Sequence, residues 1–279
     1  MNGKGVWRVS GLLMALAVFL AGCGSSNGKN SLTEASEVAP TIVGGSPVFG
    51  NAYPAQVAIL YKGNLNVYKA QTCGGTLISD QWVLTAAHCF DHYGASPGTY
   101  DVGFGMAVLP DGPAPENRMA VSVIKIHPSY RSGGERIAPH DIALVKLADS
   151  VRQRPMRYAG PRREALYQAG KKGTAVGWGL LSESGSHPSR LYQVKLPLLD
   201  DQYCNVQGFS ANNIVCAGTV GASQGACFGD SGGPLIVNGV LVGIVSGVGC
   251  GKPNVYPGVF TEVKTYASFI QQTSGVRPY

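Results

Sequence analysis

The sequence, 279 residues long, contains no long apolar run. Its one sustained stretch, from Gly11 to Gly22, falls short of the roughly 20 residues a membrane-spanning helix needs. Charge is sparse as well. Only 14% of residues are charged, and the 44% that are apolar are spread along the chain rather than gathered. No repeat of solenoid length occurs, and basic residues do not alternate with aromatic ones as they would on a nucleic-acid surface. The cysteines form no C-x-x-C pair, so no metal site is expected. Helical periodicity is nearly missing, and only Val263, Tyr266, Ala267 and Ile270 fall on one face. What the chain does have is 39 Gly, 17 Pro and 13 Tyr, the composition of a turn-rich β protein rather than a helical bundle.

The N-terminal region is built for export. Lys4 and Arg8 precede the apolar run, and small residues follow it, which is the layout of a secretory signal peptide over 1–22. Leu20-Ala21-Gly22-Cys23 also resembles the lipobox of bacterial lipoproteins, with Cys23 as the lipid-modified residue and the cell envelope as its location. Residues 24–41 are polar and rich in Ser, Asn and Glu, and they read as a flexible tether. From Ile42 onward, short apolar runs alternate with Gly, Pro, Asn and Asp. Trp82–Ala87, Val121–Ile126, Ile142–Leu147, Thr174–Val176 and Val240–Val245 are expected to be strands. The densest basic run is Arg152, Arg154, Arg157, Arg162, Arg163, Lys171 and Lys172. It reads as a solvated loop face, with contact to an anionic surface as the alternative.

Three short strings carry chemistry. Ala226-Cys227-Phe228-Gly229-Asp230-Ser231-Gly232-Gly233-Pro234 sets one serine among small residues, so a substrate backbone can come close and peptide N–H groups can point at an oxyanion. The same string satisfies G-x-S-x-G, the nucleophile elbow of α/β-hydrolases. That motif needs its histidine downstream, and all five histidines (88, 92, 127, 140 and 187) lie upstream of Ser231, so the elbow is excluded. A serine nucleophile also needs a base, and Leu84-Thr85-Ala86-Ala87-His88-Cys89 offers one in a small, apolar setting. His140-Asp141-Ile142-Ala143-Leu144-Val145-Lys146-Leu147 adds an acid at the head of an apolar strand. Asp141 there is either a turn residue or the group that fixes a histidine tautomer.

Taken together, and in the order His, Asp, Ser, these strings resemble the chymotrypsin/trypsin-like serine proteases. The resemblance extends from Ile42-Val43-Gly44-Gly45 through Gly177-Trp178-Gly179 to Pro257-Gly258-Val259-Phe260. It implies an all-β fold of two six-stranded antiparallel β-barrels, divided near residue 150, with a C-terminal helix. It assigns Ser231 as nucleophile, His88 as base, Asp141 as its orienting acid, and the N–H groups of Gly229 and Ser231 as the oxyanion hole. Ser246 and Val248 would pair with the substrate backbone as an edge strand. The implied partners are protein or peptide substrates, no cofactor is implied, and the enzyme is expected to act as a monomer. Loss of catalysis, with a binding role instead, is the rival reading; the complete triad argues against it.

With Cys23 set aside, six cysteines allow fifteen connectivities. The family pattern implies Cys73–Cys89, Cys204–Cys216 and Cys227–Cys250. Ile42 corresponds to the N-terminus that this family frees by zymogen cleavage, its ammonium pairing with Asp230, which makes 23–41 the pro-segment. Val38-Ala39-Pro40-Thr41 stands where a basic residue often precedes the cut. The pocket positions match Gly225, Ala226, Val248 and Gly258, with no acid for Lys or Arg. Small or medium apolar P1 residues are expected, with aromatic P1 as the alternative. Met106 stands where some relatives have an acidic calcium ligand.

Overall fold

The computed structural model describes residues 44–132, 139–182, 185–204, 213–221, 224–247 and 257–279. All of them belong to one compact unit, Ala39–Tyr279. The strands are β1 (Ser46–Pro47), β2 (Gln56–Tyr61), β3 (Gln71–Leu77), β4 (Trp82–Thr85), β5 (Tyr100–Phe104), β6 (Arg118–Ile126) and β7 (Ala143–Leu147), then β8 (Lys172–Gly177), β9 (Tyr192–Pro197), β10 (Ile214–Ala217), β11 (Pro234–Val237), β12 (Val240–Gly247) and β13 (Gly258–Glu262). Each of the five runs expected to be strands lies on one of these. Where both faces are covered the run is unbroken: Val240–Val245 of β12 are all buried, whereas Ser122 and Lys125 interrupt β6 on an exposed face. All five residues of β5 and all four of β11 are buried.

The first six long strands close into an antiparallel barrel in the order β2-β3-β4-β7-β6-β5. The later six form an antiparallel sheet in the order β9-β8-β11-β12-β13-β10. This sheet curls back on itself. An isolated bridge joins Leu198 to Ala217, and the N–H of Gly218 donates to Pro197 O at 2.9 Å. The short β1 adds a seventh strand outside β9, so a piece of the early chain docks on the late half.

The helical face near the C-terminus is as expected. A 3₁₀ turn over Val263–Tyr266 runs into an α-helix over Ala267–Ser274. Val263, Tyr266, Ala267 and Ile270 are all buried, in the same cluster as Ile142, Val145 and other residues of the first barrel. The last element of the chain thus closes over the first barrel, and full burial of side chains such as Val263 and Ile270 is worth roughly 1.5–3 kcal/mol each. Met106 packs against the buried cluster that includes Leu60, Val67 and Leu109.

One buried ion pair braces the first barrel. Arg118 Nε donates to Asp101 Oδ2 at 2.8 Å, and its other nitrogens donate to the carbonyls of Asn64 (2.8 Å) and Tyr61 (3.1 Å). Removing one partner strands the other charge in low dielectric. Arg118→Ala should therefore destabilise the protein by about 3–5 kcal/mol, measured as the denaturant midpoint, whereas Lys125→Ala on the exposed face of the same strand should change it by less than about 0.5 kcal/mol.

Candidate active site

His88 lies just after β4, in a 3₁₀ turn over His88–Phe90 that is tied to β3 by the Cys73–Cys89 disulfide. A loop of that size contributes about 3 kcal/mol in the chain-entropy picture. Asp141 stands at the head of β7, after His140 in the left-handed region (φ 58°). Its carboxylate is 1% exposed and accepts three hydrogen bonds. The His88 backbone N–H reaches Oδ1 at 2.9 Å. His88 Nδ1 lies 2.7 Å from Oδ2, and the Ser246 hydroxyl donates to the same oxygen at 2.6 Å. The Asp141 carbonyl accepts from Thr261 Oγ1 at 2.7 Å. The geometry points Nδ1–H toward Asp141 and leaves Nε2, unpaired among the described residues, as the acceptor. Burial lowers the pKa of His88, but the hydrogen bond and charge of Asp141, with a further contribution from Asp91, outweigh it, and the net shift is upward.

The serine turn is pressed onto this segment. Gly74 N donates to Ser231 O at 2.7 Å, and Gly232 N donates to Val245 O at 2.8 Å. Gly232 has φ 77°, and a Cβ there would stand 2.2 Å from Thr85 Oγ1 and 2.6 Å from Gly74 O. Only glycine meets both conditions, and this lets the turn sit directly against the strand that leads to His88. Gly229, at φ 96°, is approached from two sides. Gln71 Nε2 donates to its carbonyl at 2.9 Å, and the His187 ring lies where a Cβ would go. His187 is itself held by Tyr68, whose hydroxyl donates to the His187 carbonyl at 2.7 Å.

Asp230, next to the serine, is buried. It accepts from Gly179 N at 2.7 Å and from Cys227 N at 2.9 Å, and no cation contacts it among the described residues. Burial pushes its pKa up to about 6, against the opposing effect of the two N–H groups.

The structure brings together His88, Asp141, Ser246, Gly229, Asp230 and Ser231. Gly225, Ala226 and Gly258 are buried, with Gly258 at the start of β13. Cys204 pairs with Cys216, and Cys227 is disulfide-bonded to a partner outside the described residues. Cys23, Ile42, Val248 and Cys250 also lie outside them. Sequence reasoning gave Ser246 a backbone role only, and it missed Gln71 and His187 altogether. Gln71 contacts Gly229 across 158 positions, a pairing that no local pattern signals.

Cys73, His88 and Cys89 cluster closely enough to suggest metal ligands, but the two sulfurs are joined to each other. His92 follows His88 at the i+4 spacing, yet the turn there is too short for a helix face, and the His92 ring packs on Tyr93.

The family model described as Trypsin matches residues 42–270. Chymotrypsin-like elastase family member 1 of Macaca fascicularis is 35% identical over 257 residues, covering 88% of this chain and 93% of its own. A trypsin of Xenopus laevis is 35% identical over 236 residues, covering 83% and 90%. The solved structure of mouse neuropsin, a serine protease, superposes with a TM-score of 0.68 at 30% identity, over 82% of this chain and 98% of that one. The chain therefore belongs to the trypsin family of serine proteases. It is a serine endopeptidase.

The Ser246 hydroxyl donates to the carboxylate oxygen that also holds the His88 ring. Ser246→Ala should lower kcat by about tenfold with little change in KM, a loss on the scale of one charged hydrogen bond. Asp141→Asn, which presents the wrong partner to Nδ1, should lower kcat by about 10⁴-fold. Both are read from steady-state kinetics on an ester substrate.

Proposed function

We propose that this protease is exported as a lipid-anchored zymogen, is activated by cleavage at Thr41–Ile42, and then cuts after small or medium apolar residues. The observation that supports the catalytic assignment best is the His88–Asp141–Ser246 network lying beside the Ser231 turn. In the mechanism, Ser231 Oγ attacks the scissile carbonyl while His88 Nε2 takes its proton. The N–H groups of Gly229 and Ser231 stabilise the oxyanion, and loss of one such donor typically costs about 3 kcal/mol. His88 then protonates the leaving amine, giving the acyl-enzyme. A water deprotonated by the same imidazole releases the product. Ser246 would also offer its backbone to the substrate strand.

Relatives named elastase and relatives named trypsin align at the same 35% identity, so the P1 preference is argued from the pocket. Gly225 at its base carries no charge for Lys or Arg. Val248 on the wall would narrow it and favour small or branched residues. The small size of Gly225, Ala226 and Gly258 supports the second reading, an aromatic P1. Val38-Ala39-Pro40-Thr41 suits the first, with Thr41 itself as P1, which would make activation autocatalytic. Because Cys23 precedes the cut and the family pairing leaves no disulfide across it, cleavage would also free a monomeric enzyme from its lipid. A peptide library should show cleavage after Ala, Val or Thr above all others. Purified Ser231→Ala protein should stay uncut and acylated while the wild type processes itself. Equal processing of both would end the autocatalytic reading.

The Asp230 carboxyl supplies a separate test. Unfolded, it titrates near 3.8; folded and without a cation, it titrates near 6. The folded form then holds its proton more tightly, and stability falls as pH rises from about 4 through 6. Pairing with the Ile42 ammonium reverses that trend. Uncut Ser231→Ala protein should lose stability across this range, measured by denaturant midpoint, whereas protein cut at Thr41–Ile42 should not. Identical profiles would count against the pairing.

A further inference from the structure

The connection between the two halves, Arg152 to Lys172, has no role in the chemistry above. It carries seven cations and one acid, Glu164, so its net charge of +6 equals that of the entire chain. The positive charge of this protein is therefore concentrated in one short strap. Glu164 is bonded to Lys264, which lies outside the strap. Among the described residues, none of the seven cations forms an ion pair with Asp or Glu. Arg152, Arg154, Arg157, Arg162 and Lys172 are exposed, and Arg163 and Lys171 are half-buried.

Part of this charge is held in place. The guanidinium carbons of Arg157 and Arg163 each lie 3.9 Å from the centre of the Tyr279 ring, so they stand no more than about 8 Å apart. Arg163 Nε also donates to Tyr279 O at 3.2 Å. The strap carries two clefts. One, of about 420 Å³, is lined by Arg162 and Arg163 with Pro161, Pro278 and Tyr279. The other, of about 300 Å³, is lined by Arg154 and Arg157 with Tyr53, Pro54 and Met156. Among the described residues, no Asp or Glu side chain lines either one. Arg157 belongs to the second cleft and reaches over a ring of the first, so the two are neighbours.

The strap lies away from the catalytic residues. Tyr158 bridges to Leu241 near one end of β12, while Ser246 stands near the other. Five residues of extended chain separate them, roughly 16 Å at the usual rise.

We propose that this strap is a binding site for an anionic polysaccharide, separate from the active site. Arginine outnumbers lysine five to two, and its planar fork suits oxoanions such as sulfate. Each cleft sets a pair of guanidiniums beside proline and tyrosine surface, which fits a sugar ring that carries an oxoanion. A bare polyphosphate has no apolar part to fill these clefts. A nucleic acid would seek an open aromatic face, whereas the Tyr279 ring already carries two guanidiniums. A membrane surface would meet the exposed cations but leave the clefts empty.

The test uses full-length Ser231→Ala protein, which cannot digest itself, titrated with size-fractionated heparin in 0.15 M NaCl by calorimetry. Micromolar binding that weakens as salt rises is expected. Two paired variants, Arg157→Gln/Arg163→Gln and Arg152→Gln/Arg154→Gln, should each raise Kd at least tenfold. Lys62→Gln/Lys125→Gln removes as much charge from the first barrel and should change Kd less than twofold. The second strap pair leaves the Tyr279 contacts intact, so its loss of binding cannot be blamed on misfolding. Equal losses in strap and barrel variants would overturn the proposal, as would no heparin binding at this salt. So would tighter binding of polyphosphate, or of phosphatidylglycerol vesicles that heparin fails to displace.

Discussion

The Asp141 carboxylate is where the two halves of the molecule meet. Its partners come from both sides of the fold: His88 from the first barrel, Ser246 from β12, and Thr261, through the Asp141 carbonyl, from β13. A buried carboxylate without such donors would be strongly disfavoured, so the hydrogen bonds that orient the base also fasten the halves together. Catalytic geometry and tertiary assembly are here one interaction. The left-handed backbone at His140, immediately before it, belongs to the same constraint. It turns the chain so that Asp141 enters the seam while β7 continues into the barrel wall.

The serine turn obeys a related rule. Its close seating against Gly74, Thr85 and Ala86 depends on the missing side chain at Gly232, and its neighbour Asp230 is buried with two N–H partners and, among the described residues, no cation. The first device brings the nucleophile's turn against the strand of the base. The second stores an electrostatic demand that cleavage of the chain can satisfy. Both lie within three residues of each other, which explains why so short a string is so informative.

What could be read from sequence followed the range of the interactions involved. His88, Asp141 and Ser231 sit in strings whose local composition already constrains them, and the strands around them show as apolar runs between turn residues. The C-terminal helix was legible from four positions on one face. β1 was not, because two residues carry no periodicity and its pairing with β9 is decided by docking alone. Nor were the side-chain role of Ser246, the Gln71 contact to Gly229, or the place of His187 against the same glycine. Each depends on partners brought together by closure of the fold. The P1 pocket stayed ambiguous for a different reason: Gly225, Ala226 and Gly258 leave room for small and aromatic residues alike, and Val248 lies outside the described residues.

The chain position of Thr261 and Ser246 has a further consequence. Both belong to strands late in the sequence, β12 and β13, whereas His88 and Asp141 stand much earlier. The first barrel alone therefore lacks the Ser246 and Thr261 donors that seat the acid orienting the base. Seating of the acid thus waits on two strands from the later half of the chain, β12 and β13, which pair with each other.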